Sequence, residues 1–399
     1  MIEITSYLHR NSLYDLIQRW MCNDLQSSDA GLITRLVHFN NVFVSRYLHS
    51  FSEQVFGRLH EQGLQTRRVR IKSGLKDAIV VNPPYTNDRI ASLLLEYRQH
   101  PGRYYRETPF HGTLYFTSRN GDDLYIGSNR IKRVRRLAEK ISRRIIDRIF
   151  EAIKARADHL AEVRARDMGI TRYQLVTPPS DMIAEFRRAE ARLLDDLQHK
   201  RPIEDGKPMV IQDVAGIKVI LEDNEQKRLF DLLNAWDACE IIEVEPHSGR
   251  YNATNVIVRF RPDIDSLLEE PLSRTIIRLM QSRGLDPDEV PGAFSDFVRS
   301  GEEAVHIEVI ISSYQEMLES EIGRCMHEDR ITEQRLRQEY RGHLAKNIEY
   351  LMEYLFASSV SPKTELVELP VLLWNTYLPD YYDEVVKALF DIPLVHVTD

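Results

Sequence analysis

The sequence predicts an α+β fold: a mixed β-sheet flanked by helices, with a helix-rich N-terminal region and a long C-terminal helix. Three observations carry that expectation. Apolar residues recur at helical spacing from Leu13 to Leu59, the period becomes strand-like from Met209, and helical and strand-like stretches then alternate as far as Ile311.

Ser12 and Asp15 form a capping pair ahead of Leu13–Met21. Residues 31–60 carry an apolar stripe at Leu32, Leu36, Phe39, Phe43, Tyr47, Phe51, Val55 and Leu59. Val69–Lys72 and Ala78–Val81 read as short strands, Pro83-Pro84 breaks the pattern, and Asn87–Arg98 returns to a helix. Thr113–Thr117 and Asp123–Ile126 alternate around Asn120-Gly121, a pair suited to the positive φ angles of a hairpin turn. From Arg130 to Asp167 one helix is expected, with thirteen Arg or Lys against six Asp or Glu and therefore a basic exposed face. Thr177-Pro178-Pro179-Ser180 interrupts it, with Ser180 placed to cap a helix towards His199. Met209–Leu221, Glu240–Val244, Asn252–Phe260 and Ala304–Ile311 read as strands. Glu225–Ala238 and Ser273–Arg283 read as helices, and Ser313 with Glu316 caps a long helix continuing beyond Tyr340.

This pattern divides the chain into 1–128, a mixed helical and β-hairpin domain; 129–200, a basic long helix with a connecting helix; 201–330, the sheet-bearing core; and 331–399, a C-terminal helical extension. A length of 399 residues fits two or three domains, and 43% hydrophobic with 29% charged residues fits an ordinary folded protein. A net charge of −8 opposes non-specific binding of the whole molecule to nucleic acid or anionic membranes. Cys22, Cys239 and Cys325 are odd in number and widely spaced, which suits neither a disulfide framework nor a thiolate zinc site. With no bilayer-length apolar run and no signal-like N-terminus, the expectation is a cytoplasmic protein without a membrane partner.

Two acids stand out because a carboxylate among apolar strand residues is costly to bury unless it is paired or metal-bound. Asp213 lies in Val210-Ile-Gln-Asp-Val-Ala-Gly-Ile-Lys-Val-Ile220 and Glu308 in Val305-His-Ile-Glu-Val-Ile-Ile311. On residue type alone, Asp213 facing solvent on an edge strand and Glu308 pairing with an Arg explains them better than a metal does, and it is the spacing around them that shifts the balance. The stretch Asp213-Val-Ala-Gly216-Ile-Lys218-Val-Ile220 is similar to the Asp-Φ-Ala-Gly-Φ-Arg-Φ-Ile pattern (Φ apolar) of RelA/SpoT-type alarmone synthetases. Lys218 takes the place of its Arg. Glu308, Glu321, Gly323 and His327 fall in the order and spacing of that family's second acidic strand and following helix, and Tyr251 within Gly249–Asn255 resembles its base-stacking tyrosine.

The resemblance covers about residues 209–327 and implies a nucleotidyltransferase-like core that transfers pyrophosphate from ATP to the 3′-hydroxyl of an acceptor nucleotide, a guanosine nucleotide being favoured. Asp213 and Glu308 would hold Mg²⁺ and act as the catalytic pair. Lys218, Tyr251, Asn255, Glu321 and His327 would bind substrate. Departures fall on the groups that grip nucleotides: Ile310, Ser312 and Ser313 replace the family's Gln, Arg and Thr, and Ala253 and Asn255 replace its Ser and His. Its upstream Arg-x-Lys element, followed by Ser and another basic residue, has no spaced counterpart among Arg172, Arg187, Arg188 and Lys200. A catalytically degenerate descendant, binding a nucleotide or a partner protein, is therefore the alternative. The 130–166 basic helix leaves room for an RNA or protein partner, and an oligomer is compatible with the sequence. No His-Asp dipeptide occurs, so the hydrolase half of long RelA/SpoT proteins is not expected.

Overall fold

A computed structural model describes residues 2–60, 63–119, 121–201, 208–249, 252–323, 340, 342–376 and 381–390. The fold is α+β, as expected. Its centre is a seven-stranded sheet in the order β2-β3-β4-β6-β9-β8-β7, made of β2 (Leu64–Ile71), β3 (Pro109–Arg119), β4 (Asp122–Ile131), β6 (Ala215–Ile220), β7 (Cys239–His247), β8 (Ala253–Phe260) and β9 (Val305–Ser312). Only β6 and β9 run parallel; the other neighbours are antiparallel. A separate two-stranded ribbon pairs β1 (Ile2–Ile4) in parallel with β5 (Met209–Ile211).

Helices α1 (Arg10–Met21), α2 (Asp29–Leu59), α3 (Lys72–Val81), α4 (Asp88–Gln99), α5 (Val134–Asp167), α6 (Pro179–Gln198) and α7 (Gln226–Asn234) precede or interleave the strands. They are followed by α8 (Ile264–Glu269), α9 (Arg274–Gln281), α10 (Val290–Arg299), α11 (Tyr314–Leu318), α12 (His343–Ser358) and α13 (Tyr381–Phe390). The strand alternation sorts them into two layers. Ile217, Val219, Val256, Val258, Ile307, Val309 and Ile311 join α1, α2, α5, α6 and α12 in the larger core, whereas Leu114 and Phe116 pack with α3, α4 and α11 in a smaller one on the opposite face. The α1–α2 corner is fastened by Asp29. This fully buried carboxylate accepts hydrogen bonds from Arg19 (2.6 and 3.0 Å), Trp20 Nε1 (2.9 Å) and the Gln26 amide (3.0 Å).

Several sequence expectations are corrected. Ala78–Val81 belongs to α3, because Lys72, Leu75, Lys76 and Ile79 recur at helical spacing and are buried on one face. Arg130 and Ile131 end β4 rather than begin the basic helix, pairing with Gly216 and Ala215. The boundary drawn at residue 128 thus falls inside a strand, and the hairpin of the first segment shares one sheet with the strands after residue 209. Ser180 lies inside α6, whose N-cap is Pro178. The helix opened by Ser313 gives way at Glu319–Gly323 to a π-helical turn, and its expected continuation towards Tyr340 lies outside the described residues.

The β3–β4 hairpin slips register at Tyr115/Phe116, where β4 turns on Gly127 with φ of 158°. A Cβ there would lie 2.2 Å from the Lys218 carbonyl and 2.6 Å from the Phe56 ring, so glycine is what lets β4 close against β6.

Candidate functional site

The site is built on the smaller-core face of β4, β6 and β9. Alternation turns Ala215, Ile217 and Val219 towards the large core and leaves Gly216 and Lys218 on the opposite face; in β9 the same logic places Glu308 and Ile310 there, both buried. Register aligns Arg130, Gly216 and Glu308 in one row across three strands, and Ser128, Lys218 and Ile310 in the next. Glycine in the middle of the first row has a physical role. A Cβ on Gly216 would stand 3.0 Å from the Glu308 carbonyl and 3.4 Å from Glu308 Oε2, so its absence lets Glu308 lie low across β6. Arg130 reaches over that gap to within 3.8 Å of Glu308 Oε2.

Above the strands, α3 and the π turn bring a second charged layer. Lys72 Nζ donates to Glu321 Oε2 at 2.5 Å, while Lys76 Nζ donates to the Glu321 carbonyl and lies 3.9 Å from the same carboxylate oxygen. Arg89 of α4 clasps Glu319. Between the layers is a cavity of about 20 Å³, enough for a water molecule, lined by Arg130, Gly216, Lys218, Glu308, Ile310 and Glu321 among others. Lys218 is 8% exposed, and burial pushes its ammonium down to about 8; Glu321 and Glu308 oppose that fall, while Arg130 and Lys72 reinforce it.

Asp213 is placed differently from the sequence expectation. It lies in the connection between β5 and β6, outside either strand and outside the lining of that cavity. The connection is suspended between the β1–β5 ribbon and the main sheet, at the end of the sheet where β4 passes into α5. From that junction Lys132 and Lys140 both reach Asp213 Oδ2, Lys132 at 2.6 Å. Burial would raise the Asp213 carboxyl, but the two ammonium groups outweigh it and hold it well below the usual carboxylate range. Asp213 Oδ1 is buried and has no hydrogen-bond partner among the described residues. Lys132 connects the two acids: burial pushes it down to about 8, and both Asp213 and Glu308 act against that fall.

The structure therefore brings Lys218, Glu308 and Glu321 together at one cavity and sets Asp213 beside them in a lysine clasp. Asn255 occupies β8 opposite Ile310, on the Lys218 face, with its Oδ1 buried and lacking a hydrogen-bond partner among the described residues; it does not line the cavity. Tyr251 and His327 lie outside the described residues. The expectation of Glu308 pairing with an Arg holds through Arg130, whereas Asp213 is neither on an edge strand nor free in solvent.

Sequence reasoning missed the cations that surround these acids. Arg130, Lys132 and Lys140 read in the sequence as part of a solvated basic face, yet each faces a carboxylate. Lys72 and Lys76 carry a readable signal: Arg70-Ile71-Lys72-Ser73, followed by Lys76, has the Arg-x-Lys, Ser and basic order that has no spaced counterpart between Arg172 and Lys200. The sequence hides it because α4, the β3–β4 hairpin, α5 and α6 separate it from β6, whereas the sheet returns it to the site.

Among the described residues, no group of three His, Cys, Asp or Glu side chains is disposed as a metal site, and no helix is long and apolar enough to cross a membrane. Comparison of the chain with family models, curated proteins and solved structures finds no match.

Proposed function

We propose that this chain is a RelA/SpoT-like nucleotide pyrophosphokinase, moving the β,γ-pyrophosphoryl group of ATP to the 3′-hydroxyl of an acceptor nucleotide, with a guanosine nucleotide favoured. The observation that carries the reading is the parallel pairing of β6 with β9, which sets Gly216 against Glu308 in a site where Arg130, Lys218, Lys72 and Lys132 gather around three carboxylates, Glu308, Glu321 and Asp213. Phosphoryl-type transfer depends mostly on positioning and on cations facing the charge that develops on phosphate oxygens, and this arrangement supplies both.

Magnesium suits the donors present. Asp213 and Glu308 offer hard carboxylate oxygens, Asp213 Oδ1 is buried with no hydrogen-bond partner among the described residues, and such an ion is commonly held by one or two carboxylates together with substrate phosphates. Bound there, it would neutralise phosphate charge and orient the donor. In the reaction the acceptor 3′-oxygen bonds to the β-phosphorus, the bond from that phosphorus to the α,β-bridging oxygen breaks, and AMP leaves. Glu308 takes the hydroxyl proton, Lys218 and Arg130 face the transferring phosphates, and Lys72, now on Glu321, turns to phosphate when the nucleotide enters.

A cavity of about 20 Å³ admits no nucleotide, so α3, α4 and the π turn at Glu319–Gly323 must move apart from the sheet for substrate to bind. The Lys72–Glu321 and Arg89–Glu319 pairs are the contacts that hold them closed. A second reading rests on the same pairs: with both acids satisfied by Lys and Arg, the domain is a degenerate one that binds nucleotide without turnover. Incubation with ATP, Mg²⁺ and each of GDP, GTP, ADP and tRNA, followed by mass spectrometry, separates them. A pyrophosphorylated acceptor together with AMP supports the first. No product, with a nucleotide-dependent rise in melting temperature that persists in Asp213→Asn, supports the second.

A further inference from the structure

The sheet ends in two exposed edge strands of opposite charge. At one edge, β2 (Leu-Gln-Thr-Arg-Arg-Val-Arg-Ile) carries Arg67, Arg68 and Arg70 and no acid. At the other, β7 (Cys-Glu-Ile-Ile-Glu-Val-Glu-Pro-His) carries Glu240, Glu243 and Glu245 and no Lys or Arg. All six charged side chains are exposed, and the strands match in length at eight and nine residues. Exposed apolar side chains accompany the charges on both: Ile71 at 46%, Ile242 at 44% and Val244 at 47%. Among the described residues, no ion pair involves Arg67, Arg68, Arg70 or Glu243, and β2 and β7 each have one strand neighbour.

Charged edges usually prevent strands from pairing between molecules, and like charges on both edges would do that in every orientation. Opposite charges forbid β2 against β2 and β7 against β7 but favour β2 against β7. The topology adds a direction. Following the pairings across the sheet, β2 and β7 run in opposite senses, so a second copy in the same orientation extends the sheet by an ordinary antiparallel pair.

We propose that the occupant of each edge is a second copy of this chain, β2 of one molecule adding to β7 of the next in a head-to-tail contact. The contact is independent of the proposed catalysis. Main-chain hydrogen bonds supply the attraction, and the arginine and glutamate rows set the partner and register. High salt weakens it because the charges are exposed.

Sedimentation velocity over a range of concentrations tests this in four proteins: wild type, Glu243→Arg/Glu245→Arg, Arg67→Glu/Arg68→Glu, and the fourfold variant. Wild type should self-associate, and each double variant should lose at least about a hundredfold in association, because like charges then face each other. An equimolar mixture of the two double variants, and the fourfold variant alone, should associate again. Net charge works against a trivial explanation. Two Glu→Arg changes move −8 to −4 and two Arg→Glu changes move it to −12, so the mixed partners repel overall. Because all four positions are exposed, circular dichroism melting should confirm that every variant is folded. A wild type that sediments as a 46.6 kDa monomer at every concentration, double variants that associate as wild type does, or a mixture that stays monomeric would each overturn the proposal.

Discussion

Replacing Lys218 with methionine should stabilise the protein at neutral pH while impairing any nucleotide binding. The ammonium is 8% exposed and titrates near 8 in the folded chain, against 10.5 unfolded. For a base whose folded value is depressed, the sign is fixed: the cost of keeping it charged is fully present below pH 8. It shrinks between pH 8 and 10.5, where the unfolded state holds more protons, and vanishes above. That fall to about 8 corresponds to about 3 kcal/mol at pH 7 and about 1 kcal/mol at pH 10. Methionine has nearly the same length and no charge, so Lys218→Met should gain up to that amount, in which the opposing attraction of Glu321 and Glu308 is already included. Urea unfolding of both proteins at pH 7 and pH 10 reads the double difference, in which other titrating groups largely cancel. A variant less stable than wild type at pH 7, or an advantage that grows towards pH 10, would show that Lys218 is not a strained cation held for function. The same depression predicts proton uptake when a polyanion binds near pH 8, measurable by calorimetry in buffers of different ionisation enthalpy.

Gly127→Ala should cost about 3 kcal/mol or more, because the new Cβ would meet the Lys218 carbonyl at 2.2 Å in a region of φ that alanine avoids. A melting temperature within a degree or two of wild type would mean that the β4 bulge relaxes freely. Asp29→Asn should cost about 3–5 kcal/mol by stranding the Arg19 guanidinium against a buried corner, read by chemical denaturation. Asp213→Asn should cost about 2 kcal/mol, since Lys132 and Lys140 lose their shared acceptor. Asp213 has a depressed folded value, so its contribution is present above about pH 4 and fades as pH falls, and the gap between variant and wild type should close in acid. A gap independent of pH would refute the lysine clasp.

Much of the fold was legible because most strands alternate cleanly. The strand expected over Ala304–Ile311 is β9 at Val305–Ser312, and the hairpin around Asn120-Gly121 appears as β3 and β4. Legibility failed where local pattern and tertiary use diverge. Ala78–Val81 is apolar enough to read as a strand, and only the burial of Lys72 and Lys76 on the same face reveals a helix. Arg130 looks like the start of a basic helix, yet it serves as the last-but-one residue of a strand that borders Gly216. Pairing of β4 with β6 joins residues about ninety positions apart, and no periodicity encodes such a distance. For the site, the acids were readable as exceptions within apolar strands. Their partners were not, since a lysine turned inwards at the β4–α5 junction has the same letter as one in water.

That pairing changes what the acids imply. Each carboxylate expected to serve a nucleotide complex is already met by a cation: Asp213 by Lys132 and Lys140, Glu308 by Arg130, and Glu321 by Lys72 and Lys76. Binding a polyanion is then an exchange, in which phosphate oxygens take the lysines and the released carboxylates need a new positive partner or a proton. Neither half is favourable alone. Phosphate without a counter-ion for the acids leaves buried negative charge, and a divalent cation without phosphate faces lysines already in place. Under the proposed function the arrangement would couple nucleotide to metal: each should raise the apparent affinity of the other, and that reciprocal strengthening would be the thermodynamic signature of a shared site.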